Sequence, residues 1–176
     1  MVLRPLAVED AGTIAGWAAD EELCRAAEWP LGRDQEFFRS FHRRSISEPP
    51  ADLVRLGVVR EGRLVGYVDL HGDEPDRREL GYLIGERRLW GRGVGTAAAA
   101  AGLHHGFTEI GLREIWAEAL DANDASVRIL RRLGMRETGT GDSATYLGEP
   151  THYRQFTITA DERATTVENL GRPPIS

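Results

Sequence analysis

Gly91, Gly93 and Gly95 alternate along Trp90-Gly91-Arg92-Gly93-Val94-Gly95-Thr96, and an alanine run, residues 97–101, follows at once. An apolar stretch over residues 80–85 lies just upstream and reads as a strand. Strand, glycine turn and helix in that order present free backbone N–H groups to an anion. Glycine has no Cβ, so its main chain can approach a phosphate closely. The first helical turn has unpaired N–H groups and sits at the positive end of the helix dipole. Gly91, Arg92, Gly93, Val94, Gly95 and Thr96 are therefore expected to cradle a phosphate or pyrophosphate.

Three ligands compete for such a turn. A P-loop needs a lysine after its last glycine, and all 22 basic residues of this chain are arginine. A dinucleotide fold wants G-x-G-x-x-G near the chain start and an acid about 20 residues on. Here the spacing is G-x-G-x-G at mid-chain, and the next strand ends without that acid. The third ligand is the pyrophosphate of an acyl-CoA. On its own, the pattern also fits a plain tight turn.

A second constellation lies downstream. After an apolar run over residues 115–120 comes Asn123-Asp124-Ala125-Ser126, then Leu130, Leu133, Gly134 and Met135. A strand with Glu79, a glycine loop, a long helix, a strand and an N-x-x-S-x-x-x-L-x-x-L-G helix together resemble the GNAT family of acetyl-CoA-dependent N-acetyltransferases. The similarity is greatest to its branch of ribosomal-protein N-terminal-alanine acetyltransferases, which often show W-G-x-G in the loop. The chain start, with Leu3-Arg4-Pro5-Leu6, Glu9-Asp10-Ala11 and Trp17, is similar too. The resemblance covers roughly residues 2–159.

The resemblance implies an α/β (α+β) GNAT fold: a mixed, mostly antiparallel twisted sheet of six to seven strands flanked by about four helices. It implies acetyl-CoA as cosubstrate, bound where two central parallel strands splay, after Ile84 and beside Leu120. It further implies acetyl transfer to a primary amine by direct attack on the thioester. The acceptor would be a peptide or protein N-terminal α-amine, a polyamine or an aminoglycoside-like small molecule. A non-catalytic acyl-CoA sensor is the alternative. An oxyanion would be met by a backbone N–H near Leu83 on the strand.

Residue by residue, Asn123 resembles the asparagine that bonds the pantetheine arm, and an amide suits that amide-built ligand; Asn is also a good helix N-cap. Ser126 lies on the same helix face and corresponds to a serine placed near the CoA sulfur, where the resemblance implies that it helps protonate the leaving thiolate. Many relatives carry a tyrosine acid one turn further on, where this chain has Leu130. Tyr146 and Tyr153 are the fallback candidates for the acid, or else ordinary sheet packing. Glu79 is the base candidate, because amine attack requires loss of a proton; alternatively it is a surface carboxylate paired with Arg77 or Arg78. Arg88 and Arg92 could meet phosphate charge, as could Arg87, or all three are solvated surface. Where many members have Gln or Arg at the loop's first position, this chain has Trp90. Trp29, Asp69 and His71 are candidates for the acceptor pocket, or else ordinary core and surface.

At 176 residues and 41% hydrophobic content the chain fits one soluble domain. Residues 1–160 read as that domain and residues 161–176 as a polar tail. No apolar run reaches the roughly 20 residues that span a bilayer, and the start lacks a secretory pattern. The single cysteine, Cys24, allows no internal disulfide, which fits a cytoplasmic location. A net charge of −6 disfavours nonspecific nucleic-acid binding; it suits a cationic amine, or else simply aids solubility. His104 and His105 have no third ligand at useful spacing, so no metal is expected. Apolar content leaves room for a homodimer.

The elements follow from pattern and punctuation. Strands are expected at residues 2–6, 53–59, 64–70, 78–84, 113–120, 136–146 and 152–159, with Glu61-Gly62 as a hairpin turn. Helices are expected at residues 9–19, from Asp34 to the Pro49-Pro50 stop, at 92–109 and at 124–133. Phe37, Phe38, Phe41 and Ile46 are expected on one side of the second. Residues 24–33 read as a loop.

Overall fold

A computed structural model describes the backbone of residues 1–171 and the side chains of residues 1–165. Seven strands form one sheet: β1 (Val2–Pro5), β2 (Leu53–Arg60), β3 (Arg63–His71), β4 (Arg77–Ile84), β5 (Glu114–Leu120), β6 (Arg136–Tyr146) and β7 (Glu149–Thr159). Their spatial order is β1-β2-β3-β4-β5-β7-β6. Every neighbouring pair is antiparallel except β4 with β5. Glu61 and Gly62 close the β2–β3 hairpin, both at positive φ (52° and 76°), the backbone that a two-residue turn between right-twisted strands requires. The outer strand β6 shifts register twice against β7, between Glu137 and Gly139 and between Thr140 and Ser143.

The parallel pair is short. Arg77, Arg78 and Glu79 pair with Glu114, Ile115 and Trp116, and no pairing continues beyond them. The C-terminal halves of β4 and β5 thus diverge and leave an opening inside the sheet.

Helices cover both faces. On one face, Leu70, Leu80, Ile115, Phe156 and Ile158 of the sheet pack with Leu103 of α4 (Val94–His105) and Leu130 of α5 (Asp124–Arg132). Small residues bring α4 close: a Cβ on Gly102 would stand 2.8 Å from the Leu80 side chain. The other face packs Ile14, Trp17 and Leu23 on Leu64 and Tyr67, using α1 (Asp10–Trp17), α2 (Glu21–Ala26) and α3 (Gln35–Ser47).

Four expectations change. Residues 24–33 are not all loop, because α2 runs through Cys24 to Ala26, capped by the Asp20 carboxylate at the Glu22 and Leu23 N–H groups. With α6 (Ala160–Gly171) the described residues hold six α-helices rather than about four, and the segment read as a tail begins helical; residues 172–176 lie outside the described residues. On α3 the inward line is Phe38 and His42, continued by Ile46, while Phe37 and Phe41 are exposed. A helix turns 100° per residue, so Phe37 and Phe41 sit one step round from that line. Finally, the helix expected over residues 92–109 starts at Val94 and gives way at Gly106 to a π-helical turn, Gly106–Ile110.

Candidate functional site

The glycine turn leads into α4 by way of left-handed backbone. Gly91 (φ 69°) and Gly93 (φ 77°) both adopt left-handed backbone that favours glycine, and a Cβ on either would meet nothing within 4 Å. Gly93 is the N-cap of α4 and provides no side-chain cap. The first N–H groups of α4 are therefore left without a side-chain partner at the mouth of the opening. Trp90 fixes the turn to the end of β4, its indole N–H donating to the Ile84 carbonyl at 2.8 Å.

Across the opening, Asn123 caps α5, its Oδ1 accepting from the Ser126 N–H at 3.2 Å. Gly134 (φ 82°) follows the helix end. From β4, the Tyr82 hydroxyl reaches α5 and donates to the Ser126 carbonyl at 3.4 Å. Burial pushes the Tyr82 phenol up to about 12, although the bond to Ser126 opposes the shift.

These parts enclose a cavity of about 620 Å³, within the range of small-molecule and cofactor sites. Leu83, Ile84, Gly91, Gly93, Gly95, Thr96, Asn123 and Ser126 all line it, together with Tyr82 and Trp90. Leu23, Ala26 and Ala27 wall it from α2 and its C-terminal cap, Tyr146 from β6, and Arg128 and Arg132 from α5. The sequence reading did not anticipate Tyr82, the α2 wall, Arg128 or Arg132. The two arginines stand four residues apart on α5, the spacing that puts side chains on one helix face.

Other candidates lie off the cavity. Val94 is buried in the core beside Ala98. Arg88 pairs with Glu86, and Arg87 with Asp20 and Glu22. Arg92 is exposed, with no ion-pair partner among the described residues. Trp29 stacks on Phe38 at 5.4 Å, within the packing of α3. Asp69 takes a two-pronged bond from Arg55 (2.7 and 2.6 Å), and His71 meets Asp52 at 3.1 Å.

Glu79 is half-buried and makes no ion pair with Arg77 or Arg78. Arg77 turns instead to Glu114 (2.7 Å) and Glu74 (3.2 Å), and two guanidinium nitrogens of Arg78 are buried without a hydrogen-bond partner among the described residues. Burial raises the Glu79 carboxyl above its ordinary value; Glu118 and Asp69 push the same way, and His71 opposes. His71 is its direct cross-strand neighbour. Glu79 stands on β4 four residues before Leu83, outside the cavity lining. Of the fallback tyrosines, Tyr153 donates to both Glu28 oxygens at 2.7 Å, while Tyr146 faces the cavity. Cys24 is buried, its thiol donating to the Ala18 carbonyl. Among the described residues no group of three or more His, Cys, Asp or Glu could hold a metal ion.

Comparison with known proteins fits this geometry. The family model described as an acetyltransferase (GNAT) domain matches residues 1–136. Human alpha/beta-tubulin-N-acetyltransferase 9 is 28% identical over 136 residues, covering 70% of this chain and 66% of that protein. RimJ of Mycobacterium smegmatis, solved in complex with CoA-disulfide, superposes with a TM-score of 0.74 at 25% identity over 97% of this chain and 88% of its own. Spermidine N-acetyltransferase from Vibrio cholerae, solved with CoA and spermine, gives a TM-score of 0.78 at 16% identity over 93% and 97%.

Proposed function

The chain belongs to the GNAT acetyltransferase family, and from that premise we propose that it moves an acetyl group from acetyl-CoA to a primary amine in a ternary complex. The observation that carries the reading is the cavity between the diverging strands, bounded by a glycine turn with uncapped helix N–H groups. In this reading the main chain of residues 91–96 holds the CoA diphosphate, with Arg92 adding charge from solvent. Asn123 bonds the pantetheine arm, and Ser126 stands beside the sulfur. Leu83 and Ile84 flank the thioester.

An alkyl ammonium has a pKa near 10 and an α-ammonium near 8, so the acceptor must shed a proton before attack. Glu79 takes it through water, since it stands outside the cavity. The neutral amine then attacks the carbonyl carbon and the C–N bond forms; the nitrogen, now positively charged, sheds its second proton, the C–S bond breaks, and sulfur leaves as thiolate and takes up a proton to become the CoA thiol. No nucleophilic cysteine is needed, in keeping with a buried Cys24.

The acceptor is read as a protein N-terminal α-amine or a small cationic amine. A net charge of −6 favours a cation, and the solved relatives named above include a spermidine acetyltransferase and a RimJ protein. Asp69, His71 and Glu79 share the β3–β4 register and Trp29 stacks on Phe38; none of the four lines the cavity, and in this reading they meet the acceptor outside it. A cytoplasmic location accords with the lone thiol, and no helix among the described residues is long and apolar enough to cross a membrane. Light scattering tests the homodimer.

The decisive experiment is thiol release from acetyl-CoA against a panel of peptides, polyamines and aminoglycosides, with mass detection of acetylated product. Binding of acetyl-CoA with no product from any amine would establish a sensor instead of an enzyme. No calorimetric binding of CoA or acetyl-CoA would remove the whole reading.

A further inference from the structure

In the reading above the Ser126 hydroxyl stands beside the leaving sulfur of CoA, and the developing charge there can take a second donor; the helix position where many relatives keep a tyrosine holds Leu130, sealed in the core at 1% exposure. The chain has four tyrosines. Tyr67 is buried beneath Trp17 and Arg55 on the far face of the sheet. Tyr153 has committed its proton to the Glu28 carboxylate and does not line the cavity. Tyr146 reaches the cavity from the β6–β7 hairpin, on the side where Glu22 of α2 is near enough to perturb it. Tyr82 is different. It immediately precedes Leu83, lines the cavity, and spans the opening from β4 to the first turn of α5.

The geometry points to Tyr82 as the hydrogen-bond donor that meets the leaving sulfur of CoA, a role that rests on the acetyl-transfer reading above. A pantetheine arm anchored at the glycine turn and passing Asn123 reaches Leu83 by crossing the Tyr82 phenol. The hydroxyl is available. Its contact with the Ser126 carbonyl is 3.4 Å, whereas a settled O–H···O bond is about 2.7–2.8 Å. The proton can swing to a stronger acceptor when sulfur turns anionic.

The phenol acts by donating, not by ionising. Burial holds it at about 12, against about 8.5 for an ordinary thiol. Complete transfer to thiolate would run uphill by more than three pH units, roughly. A donor that stays protonated stabilises the charge as it forms in a water-poor site. The proton that ends on sulfur is the one the acceptor amine released, carried by solvent; amine and acetyl-CoA become amide and CoA thiol with no other reactant.

The test is Tyr82→Phe, which keeps the packed ring. With acetyl-CoA, kcat should fall about 10- to 100-fold while the KM for acetyl-CoA stays within about twofold and the melting temperature is maintained. The second donor is acetyl-seleno-CoA, whose selenolate is the weaker base and needs less help to leave. There the loss should shrink to less than about threefold. Equal losses with both donors would assign Tyr82 to packing alone, and an unchanged kcat with acetyl-CoA would overturn its role outright. If the wild type transfers to no amine, the acetyl-transfer reading falls and this inference falls with it; if the wild type is active, the outcome bears on Tyr82 alone.

Discussion

The indole of Trp90 donates a 2.8 Å hydrogen bond to the carbonyl of Ile84, the last residue of β4. Six residues separate the two, and the bond closes them into one unit. The glycine turn is thereby tied to the strand that forms the cavity wall. A side chain that looked like a departure from the family pattern serves as a brace.

Gly93→Ala tests the cradle. At φ 77° an L-residue costs about 1–2 kcal/mol, which at this size lowers the melting temperature by about 2–8 °C. The methyl would also project into open space at the mouth of the cavity. CoA affinity measured by calorimetry should drop tenfold or more. Gly12→Ala in α1, where the space is likewise open, should leave affinity unchanged. A Gly93→Ala protein with wild-type affinity would show the turn to be wrongly assigned.

Asn123 caps α5, and one substitution can separate that cap from the proposed bond to the pantetheine arm. Ser caps a helix about as well as Asn, so Asn123→Ser should melt within about 2 °C of wild type, whereas Asn123→Ala should lose about 1 kcal/mol. Neither variant retains the side-chain amide. Both should therefore raise the KM for acetyl-CoA; a wild-type KM in Asn123→Ser leaves the residue as a cap only.

Much of this architecture is local and could be read from the chain. The Glu61-Gly62 turn, the Asp34 and Asn123 caps and the Gly134 stop each depend on a few adjacent residues. The glycine turn and Asn123-x-x-Ser126 line one cavity. Other features are settled by tertiary choice. Helix α2 has six residues and buries only Leu23 and Cys24, too little pattern to mark it as helix, yet it walls the cavity. Glu79 has no ion-pair partner among the described residues, and Arg77 turns to Glu114, 37 residues away. Tyr82 reads as one more apolar strand residue until α5 is laid across it.

Glu79→Gln should cut kcat/KM by about 10²- to 10⁴-fold if the carboxylate is the base. Its folded pKa is raised by burial, then by Glu118 and Asp69, with His71 opposing. The acid limb of the wild-type pH–rate profile should thus lie above the ordinary glutamate value, and Glu118→Gln should move it down. The stability sign runs the other way from activity. The folded state binds the Glu79 proton more tightly than the unfolded chain, so its contribution is fully present below the unfolded value and is lost as pH rises through the folded one. Glu79→Gln should consequently melt higher than wild type at pH 7. A pH–rate profile that does not change removes Glu79 as the base.

His42 predicts sensitivity to acid. Burial, with the Arg55 charge adding to it, lowers its pKa from 6.5 to about 4. Below pH 6.5 the unfolded chain takes up this proton and the folded chain does not until about pH 4. The stabilisation is present above 6.5 and is lost progressively across that window. Melting curves from pH 7 to 4 should show a shallower decline for His42→Phe than for wild type. Parallel declines would assign the acid loss to other groups.

The two register shifts of β6 bear on how copies of this protein meet. A bulged edge is bent and twisted, and its free N–H and C=O groups no longer form a straight row. Arg136, Glu137 and Asp142 add charge along the same margin. An incoming strand finds no flush template there, so runaway end-to-end growth of the sheet into fibres is barred on that flank.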